Sequence, residues 1–321
     1  MTVFESPPPS AAESPAGLRH VFYPYAGTDQ YLQGVVAYTE LALAEGATVL
    51  VCAPEERSRV LRAALPADGT VTFLDSAALG RNPALLIGAW QDWIGQRARE
   101  GRAVCGLSES QWAGRSAEQL SEMRYREWLL NLAFAQAPAW SLLCPFDTVD
   151  QLAVDVLAMA RCHPLQWDGA GFVKASDYLE GPYEFEPLPE AAGPAQELAY
   201  SIAELAPLRH LVSARALDLG VPADKVRDFT VAVSEVATNS IRHGGGRGVL
   251  RMWVGGGSLV CELSDAGFIS DPLAGKIRPN GVQHGGRGLW FAHQLCDLVQ
   301  IRSTRQDGTR IRLHLDLPDR S

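Results

Sequence analysis

The stretch FTVAVSEVATNSIRH, from Phe229 to His243, decides the reading of this chain. Val233, Val236, Ala237 and Ile241 recur at helical spacing, which predicts a helix from Asp224 to His243 with that stripe in the core. Glu235, Asn239 and His243 are spaced four apart, so a carboxylate, an amide and an imidazole line up on the neighbouring face. An amide oxygen beside a carboxylate suits Mg2+, a hard cation that fills its remaining positions with water and phosphate oxygens. A solvated polar stripe stopped by a glycine cap at Gly244 to Gly246 has the same pattern.

Three features further along separate these readings. A strand ending at Ser264 delivers Asp265, followed by Ala266 and Gly267; a carboxylate there can accept the exocyclic amine of adenine, and the glycine lets the base approach. His284-Gly285-Gly286-Arg287-Gly288-Leu289 is a glycine-rich loop entering a helix, where free N–H groups and the helix dipole favour phosphate, with Arg287 adding charge. Gly308-Thr309 places a hydroxyl on the last hairpin. Each fragment taken singly is also an ordinary turn.

Around this core, two helices are expected first: Gln196 to Leu219, bent or interrupted at Pro207, and then Asp224 to His243. Strands follow at Val249–Val254 and Leu259–Leu263 across a GGG turn, then a helix at Leu289–Asp297, and last the strands Val299–Ser303 and Thr309–Leu315. Helices followed by hairpins predict a two-layer α/β sandwich.

Upstream, EGPYEFEPLPEAAGPA, residues 180–195, combines six prolines or glycines with four glutamates and marks a linker. The expected organisation is a disordered tail at 1–17, a first domain at 18–179, a linker at 180–194 and a second domain at 195–321. In the first domain, strands at Leu18–Tyr23 (stopped by Pro24), Thr48–Cys52, Val71–Leu74, Ala103–Leu107 and Trp140–Cys144 alternate with helices at Tyr31–Glu45, Pro54–Ala64, Pro83–Glu100, Ser116–Ala137 and Val149–Cys162. Such alternation predicts a mostly parallel sheet covered on both faces. Neither GxGxxG after a strand nor GxxxxGK[ST] occurs in this half, so it carries no nucleotide fingerprint.

Composition bounds the function. The chain has 321 residues, 47% of them apolar, enough for two cores; 28 basic against 37 acidic residues give a net charge of −9. That balance argues against direct DNA binding, and no apolar run approaches the roughly 20 residues of a membrane span. With dispersed cysteines, no CxxC pair and no signal pattern, a cytoplasmic protein with reduced thiols is expected.

In order and spacing, residues from about 195 to 317 resemble the GHKL ATPases, and within them the anti-sigma factor serine kinases. EVATNSIRH (Glu235 to His243) stands as the N box, DAG (Asp265 to Gly267) and GGRGL (Gly285 to Leu289) as the two glycine boxes, and Gly308-Thr309 closes the set. The resemblance implies the Bergerat fold, ATP and Mg2+ as cofactors, Asn239 as the Mg2+ ligand, Asp265 on adenine and Glu235 as general base. His243, Gly267, Arg287, Leu289 and Thr309 would line the nucleotide, with Gly285, Gly286 and Gly288 around its phosphates and a short lid at 269–284. It further implies a sigma factor or an anti-sigma antagonist as partner, the latter phosphorylated on serine, and is compatible with a homodimer. One position departs from the DxGxG pattern: Ile269 stands where a glycine is expected. A sensor histidine kinase shares the ATPase unit, yet His210 on the preceding helix is not followed by the acidic residue its acceptor pattern requires. A non-catalytic module sequestering its partner on the same scaffold is the third reading.

In the first half, HVFYPY (from His20), LLCPFD (ending at Asp147) and CHP (from Cys162) place His20, Cys144, Asp147 and His163 at or near element ends. They read either as a ligand or metal site, since imidazole, thiolate and carboxylate are all transition-metal ligands, or as core and cap residues. Their order resembles the MEDS sensory domain over about Leu18 to Leu179. That resemblance implies a RecA-like α/β sensor without a phosphate loop, taking a small-molecule signal of unread class.

Overall fold

The computed structural model describes residues 2–3, 17–79, 82–149, 151–191, 193–279 and 287–318. Of the segment read as a tail, 1–17, only Thr2, Val3 and Gly17 are among them. The chain divides into two compact units, one of Ser6–Gly80 with Leu86–Gly181, the other of Pro182–Ser321 with Met1–Glu5 and Arg81–Leu85.

After the two-residue β1 (Thr2–Val3), the first unit runs β2 (Leu18–Tyr25), α1 (Gly27–Ala44), β3 (Thr48–Ala53), α2 (Glu55–Ala64), β4 (Val71–Asp75), α3 (Leu85–Arg99), β5 (Val104–Ser108), α4 (Ala117–Ala133), β6 (Trp140–Asp147), α5 (Ala153–Cys162), β7 (Leu165–Trp167) and β8 (Phe172–Lys174). Its sheet has the order β4-β3-β5-β6-β2-β7-β8, parallel except for the antiparallel β7–β8 edge. All six residues of β3 (TVLVCA) are buried, as a strand covered on both faces requires. Strand alternation divides the core between those faces. Val21, Tyr23, Val49 and Val51 pack with Val35 and Tyr38 of α1 and Leu61 of α2. Phe22 and Phe146 pack with Met123 of α4 and Met159 of α5. His20 and Cys144, even-numbered like Phe22 and Phe146, share that second face.

The expected stops at Pro24 and at Cys144 do not occur: β2 runs through Pro24 and β6 through Pro145. β7 pairs with β2 only at Val21 and Phe22, and β5 pairs with β6 only as far as Leu143. Each proline thus sits where one side of its strand is unpaired and the missing N–H is tolerated. The helix expected from Val149 starts at Ala153, and β7 and β8 escaped the sequence reading because three residues carry too little periodicity.

The second unit contains β9 (Glu184–Phe185), which pairs with β1, then β10 (Gln196–Tyr200), α6 (Leu205–Asp218), α7 (Ala223–His243), β11 (Gly248–Gly255), β12 (Ser258–Asp265), α8 (Arg287–Leu295), β13 (Leu298–Thr304) and β14 (Gly308–Asp316). Its sheet is antiparallel, in the order β10-β11-β12-β14-β13. One face is covered by helices: Phe229, Val233 and Val236 of α7 pack against Leu250, Leu263 and Ile311. This is the expected two-layer sandwich. Gly256 and Gly257, at φ 59° and 79°, turn the β11–β12 hairpin, a conformation that favours glycine.

One expected element is different. Gln196–Tyr200 is an edge strand, not the start of a helix, and pairs with β11 from Gln196↔Met252 to Tyr200↔Gly248. The chain then makes a 3₁₀ turn at Ile202–Glu204, where Ser201 and Glu204 form a reciprocal capping box. Pro207 falls in the first turn of α6, where no intrahelical N–H bond is required, so the helix runs to Asp218. Among the described residues no helix is long and apolar enough to cross a membrane.

Candidate functional site

The amphipathic α7 brings Glu235 and Asn239 up beside the start of α8. The approach there is close: a Cβ on Gly288 would lie 2.9 Å from Oε2 of Glu235 and 3.0 Å from Nδ2 of Asn239. With glycine at 288 both side chains keep these positions; a Cβ there would require the Glu235 carboxylate to shift. From this junction a cleft of about 290 Å³ opens, lined by Asn239, His243, Asp265, Gly267, Leu289 and Thr309 of the predicted set, with apolar walls from Val236, Ile269 and Ile311.

Asp265 stands at the end of β12, where its Oδ1 accepts a hydrogen bond from the Gly267 N–H at 2.7 Å. It can lie flat against the end of α7 because position 244 is glycine; a Cβ there would fall 2.3 Å from the Asp265 carboxyl carbon. The Gly267 carbonyl accepts from Thr309 Oγ1 at 2.9 Å, Thr309 and Ser303 share a hydrogen bond of 2.7 Å, and Ser303 Oγ accepts from the Ile269 N–H at 2.9 Å. The first glycine box is therefore tied to the last hairpin. Ile269, the departure from the family pattern, serves as a wall of the cleft. Burial, with the Asp265 charge adding to it, pushes the Tyr200 phenol up to about 12, so the phenol is neutral.

These residues fit a nucleotide and Mg2+. The cleft offers the Asp265 carboxylate, the glycine at 267 whose Cβ would sit 2.8 Å from the His243 carbonyl, and apolar walls for a flat base. Asn239 lines the same cleft, and its side chain and that of Glu235 lie beside Gly288 in the first turn of α8. Arg287, the first residue of α8, is exposed, as is His243 at the end of α7. Gly285 and Gly286, and the last part of the lid at 280–284, lie outside the described residues.

In the first unit, the structure brings together His20, Cys144 and His163, but not Asp147. Asp147, at the end of β6, faces Arg57 at 3.7 Å, beside Glu109, which also meets Arg57 and accepts hydrogen bonds from Tyr25 and Tyr31. In the parallel ladder Cys144 and Asp147 are an odd number of residues apart, so their side chains leave on opposite faces. The place expected for Asp147 is taken by Glu127 of α4, whose carboxylate lies within 4.8 Å of the other three ligand atoms, all buried. The signal that could have found it is the adjacent charged pair Arg126-Glu127 inside the run YREWLL. Also missed were Gly244, Ser303 and Tyr200.

The fold of each unit agrees with a known family. Residues 19–164 match the family model described as MEDS, the MEthanogen/methylotroph, DcmR Sensory domain. Residues 198–315 match that described as Histidine kinase-like ATPase domain. Among solved structures, the chain is similar to the crystal structure of the RsbU and RsbW domains of Rv1364c from Mycobacterium tuberculosis, with 19% identity and a TM-score of 0.30 over 39% of this chain and 33% of that one. This chain thus spans about a third of that structure's length. No curated protein matches. The chain carries a MEDS sensory domain followed by a histidine kinase-like ATPase domain, the composition of a signalling regulator.

Proposed function

We propose that this pairing of a MEDS sensory domain with a histidine kinase-like ATPase domain is an anti-sigma factor-type regulator. Its C-terminal unit binds ATP with Mg2+ and either holds a sigma factor or phosphorylates an anti-sigma antagonist on serine. The observation that carries the reading is the single cleft shared by Asn239, Asp265, Gly267 and Thr309, with Glu235 beside Gly288 at one end.

Asp265 accepts the adenine amine, and the Gly267 N–H already bound to it keeps the carboxylate oriented. Asn239 holds Mg2+ through its amide oxygen. The bound metal and nucleotide supply the electrophilic phosphorus and neutralise its charge. Glu235 takes the proton from the attacking serine hydroxyl, a role its place beside Asn239 allows. The protein acts in the cytoplasm and takes a small-molecule signal on its N-terminal unit; that signal controls the output only if it favours one arrangement of the chain over another.

Support for the serine-directed reading over a histidine kinase comes from the helices. α6 is the described helix immediately before α7, and its His210 is exposed and followed by Leu211 and Val212 where an acidic residue would be needed. Calorimetric titration with ATP and Mg2+, followed by transfer of labelled phosphate to a candidate antagonist, tests the reading. Saturable binding lost in Asn239→Ala and acid-stable phosphoserine on the partner are expected. Acid-labile phosphate on His210 would replace it with a histidine kinase, and partner binding without nucleotide would leave a sequestering module.

A further inference from the structure

His20 on β2, Glu127 on α4, Cys144 on β6 and His163 just past α5 converge in the core of the N-terminal unit, each no more than 3% exposed. Nε2 of His20 lies 3.4 Å from Oε2 of Glu127 and 3.4 Å from Sγ of Cys144. Nε2 of His163 lies 3.8 Å from the same Glu127 oxygen, and Sγ of Cys144 is 3.8 Å from it.

The protons in this cluster can be counted. Asn131 donates its amide N–H to the Cys162 carbonyl at 2.8 Å, which turns its Oδ1 toward Nδ1 of His20 at 3.2 Å. That oxygen can only accept, so His20 carries its proton on Nδ1. Nδ1 of His163 faces the Met159 carbonyl at 2.6 Å and is likewise the protonated nitrogen. Both rings therefore turn bare Nε2 lone pairs into the cluster. Arg126 engages the other carboxylate oxygen, Oε1, leaving Oε2 to face inward. The buried ion pair with Arg126 keeps Glu127 a carboxylate, an acceptor only.

Two imidazole lone pairs and a carboxylate oxygen thus meet with one proton among them, the Cys144 thiol hydrogen. It can serve a single acceptor, and Nε2 of His163 has no hydrogen-bond partner. Buried acceptors facing one another without donors are costly, and a cation in their midst resolves all of them at once. Metal-bound histidines characteristically give their second ring nitrogen to a carbonyl or carboxylate, as both do here.

We propose that His20, Glu127, Cys144 and His163 form a four-ligand site for one first-row divalent metal of the zinc class. Metal–nitrogen and metal–oxygen bonds of about 2.0–2.1 Å and a metal–sulfur bond of about 2.3 Å, set tetrahedrally, separate neighbouring ligand atoms by roughly 3.3–3.6 Å. Four of the six ligand-atom separations are 3.4–3.8 Å and all six lie within 4.8 Å, while the His20 and His163 ring centroids are 3.8 Å apart, so metal binding requires the ligand atoms to draw in and the two rings to splay. Two imidazoles, a thiolate and a carboxylate select zinc-like ions over Mg2+ or Ca2+. Metal binding displaces the Cys144 proton to solvent, and the site ties β2, β6, α4 and the end of α5 together. This inference is independent of the nucleotide reading.

The test uses the full chain expressed in medium supplemented with Zn2+ or Co2+. About one equivalent of metal per chain is expected, and the cobalt form should show the intense visible bands of tetrahedral coordination with a thiolate-to-cobalt charge-transfer band. Cys144→Ser should lose the charge-transfer band and His163→Gln most of the bound metal, while Asp147→Ala keeps both. A wild-type chain that holds less than about a tenth of an equivalent, or a cobalt spectrum unchanged in Cys144→Ser, overturns the site. If the variants do not fold, X-ray absorption of the wild-type zinc form decides: a sulfur at about 2.3 Å is expected, and its absence overturns the proposal.

Discussion

A methyl group on the Cα of Gly288 would lie 2.9 Å from Oε2 of Glu235, closer than packed atoms approach. The N-terminus of α8 and the middle of α7 therefore meet through a glycine, and the carboxylate is the movable partner. In Gly288→Ala the Glu235 side chain must swing away, so ATP turnover with the partner present should fall at least about 10-fold, as expected for a displaced base. Single-turnover phosphate transfer measures this; an unchanged rate would remove Glu235 from the chemistry.

Asn239 and Glu235 should separate binding from transfer. Asn239→Ala is expected to abolish Mg2+-dependent nucleotide binding. Glu235→Gln should bind ATP within a few-fold of wild type and lose about 10²- to 10⁴-fold in transfer. Calorimetry and a transfer assay on both variants check the pair, and full activity in either would refute the assigned roles.

Asp265→Asn keeps an oxygen for the Gly267 N–H but replaces the carboxylate facing the base. The preference for ATP over GTP should drop by about 10-fold, equivalent to about 1.4 kcal/mol. Competition binding with the two nucleotides is the measurement; an unaltered preference would move adenine recognition elsewhere in the cleft.

His293, on α8, is fully buried. Burial first, and the nearby Lys276 charge second, hold its pKa well below the ordinary histidine value. The unfolded chain takes up this proton near pH 6.5 and the folded chain does not, so stability is retained above that pH and lost as the pH falls below it. Within that window the loss reaches up to about 1.4 kcal/mol per pH unit. Thermal unfolding between pH 7.5 and 5 should show a shallower decline in His293→Gln than in wild type; parallel slopes would exclude His293 as the source.

In the N-terminal unit, a Cβ at Gly106 would meet Trp90 at 2.7 Å and Leu142 at 2.8 Å. Gly106→Ala should destabilise that unit by about 1–3 kcal/mol through overpacking. Urea titration followed by tryptophan fluorescence would register it, and an unshifted midpoint would show that α3 can move away from the sheet.

That Asn239, His243, Asp265, Gly267, Leu289 and Thr309 line one cleft follows in part from local pattern. A helix repeats every 3.6 residues, so Glu235, Asn239 and His243 had to share a face wherever α7 packed. Gly267 and Gly288 read in sequence as room for a base and as part of a phosphate loop; their close approaches to His243 and to Glu235 belong to the tertiary structure. Alternating strands and helices likewise determined a mostly parallel sheet in the first half, and helices followed by hairpins a sandwich in the second. What tertiary structure decided depends on register and on charges distant in sequence. Gln196–Tyr200 became a strand because β11 offered it an edge, outweighing its local helical pattern. Cys144 turned away from Asp147 and under α4 because its strand places alternate residues on opposite faces. Glu127 reached His20 and His163 only through the packing of α4 across the sheet, 107 residues from His20 and 36 from His163 in sequence. No periodicity links residues at such separations. The sheet's strand order and the helix laid over it bring them together.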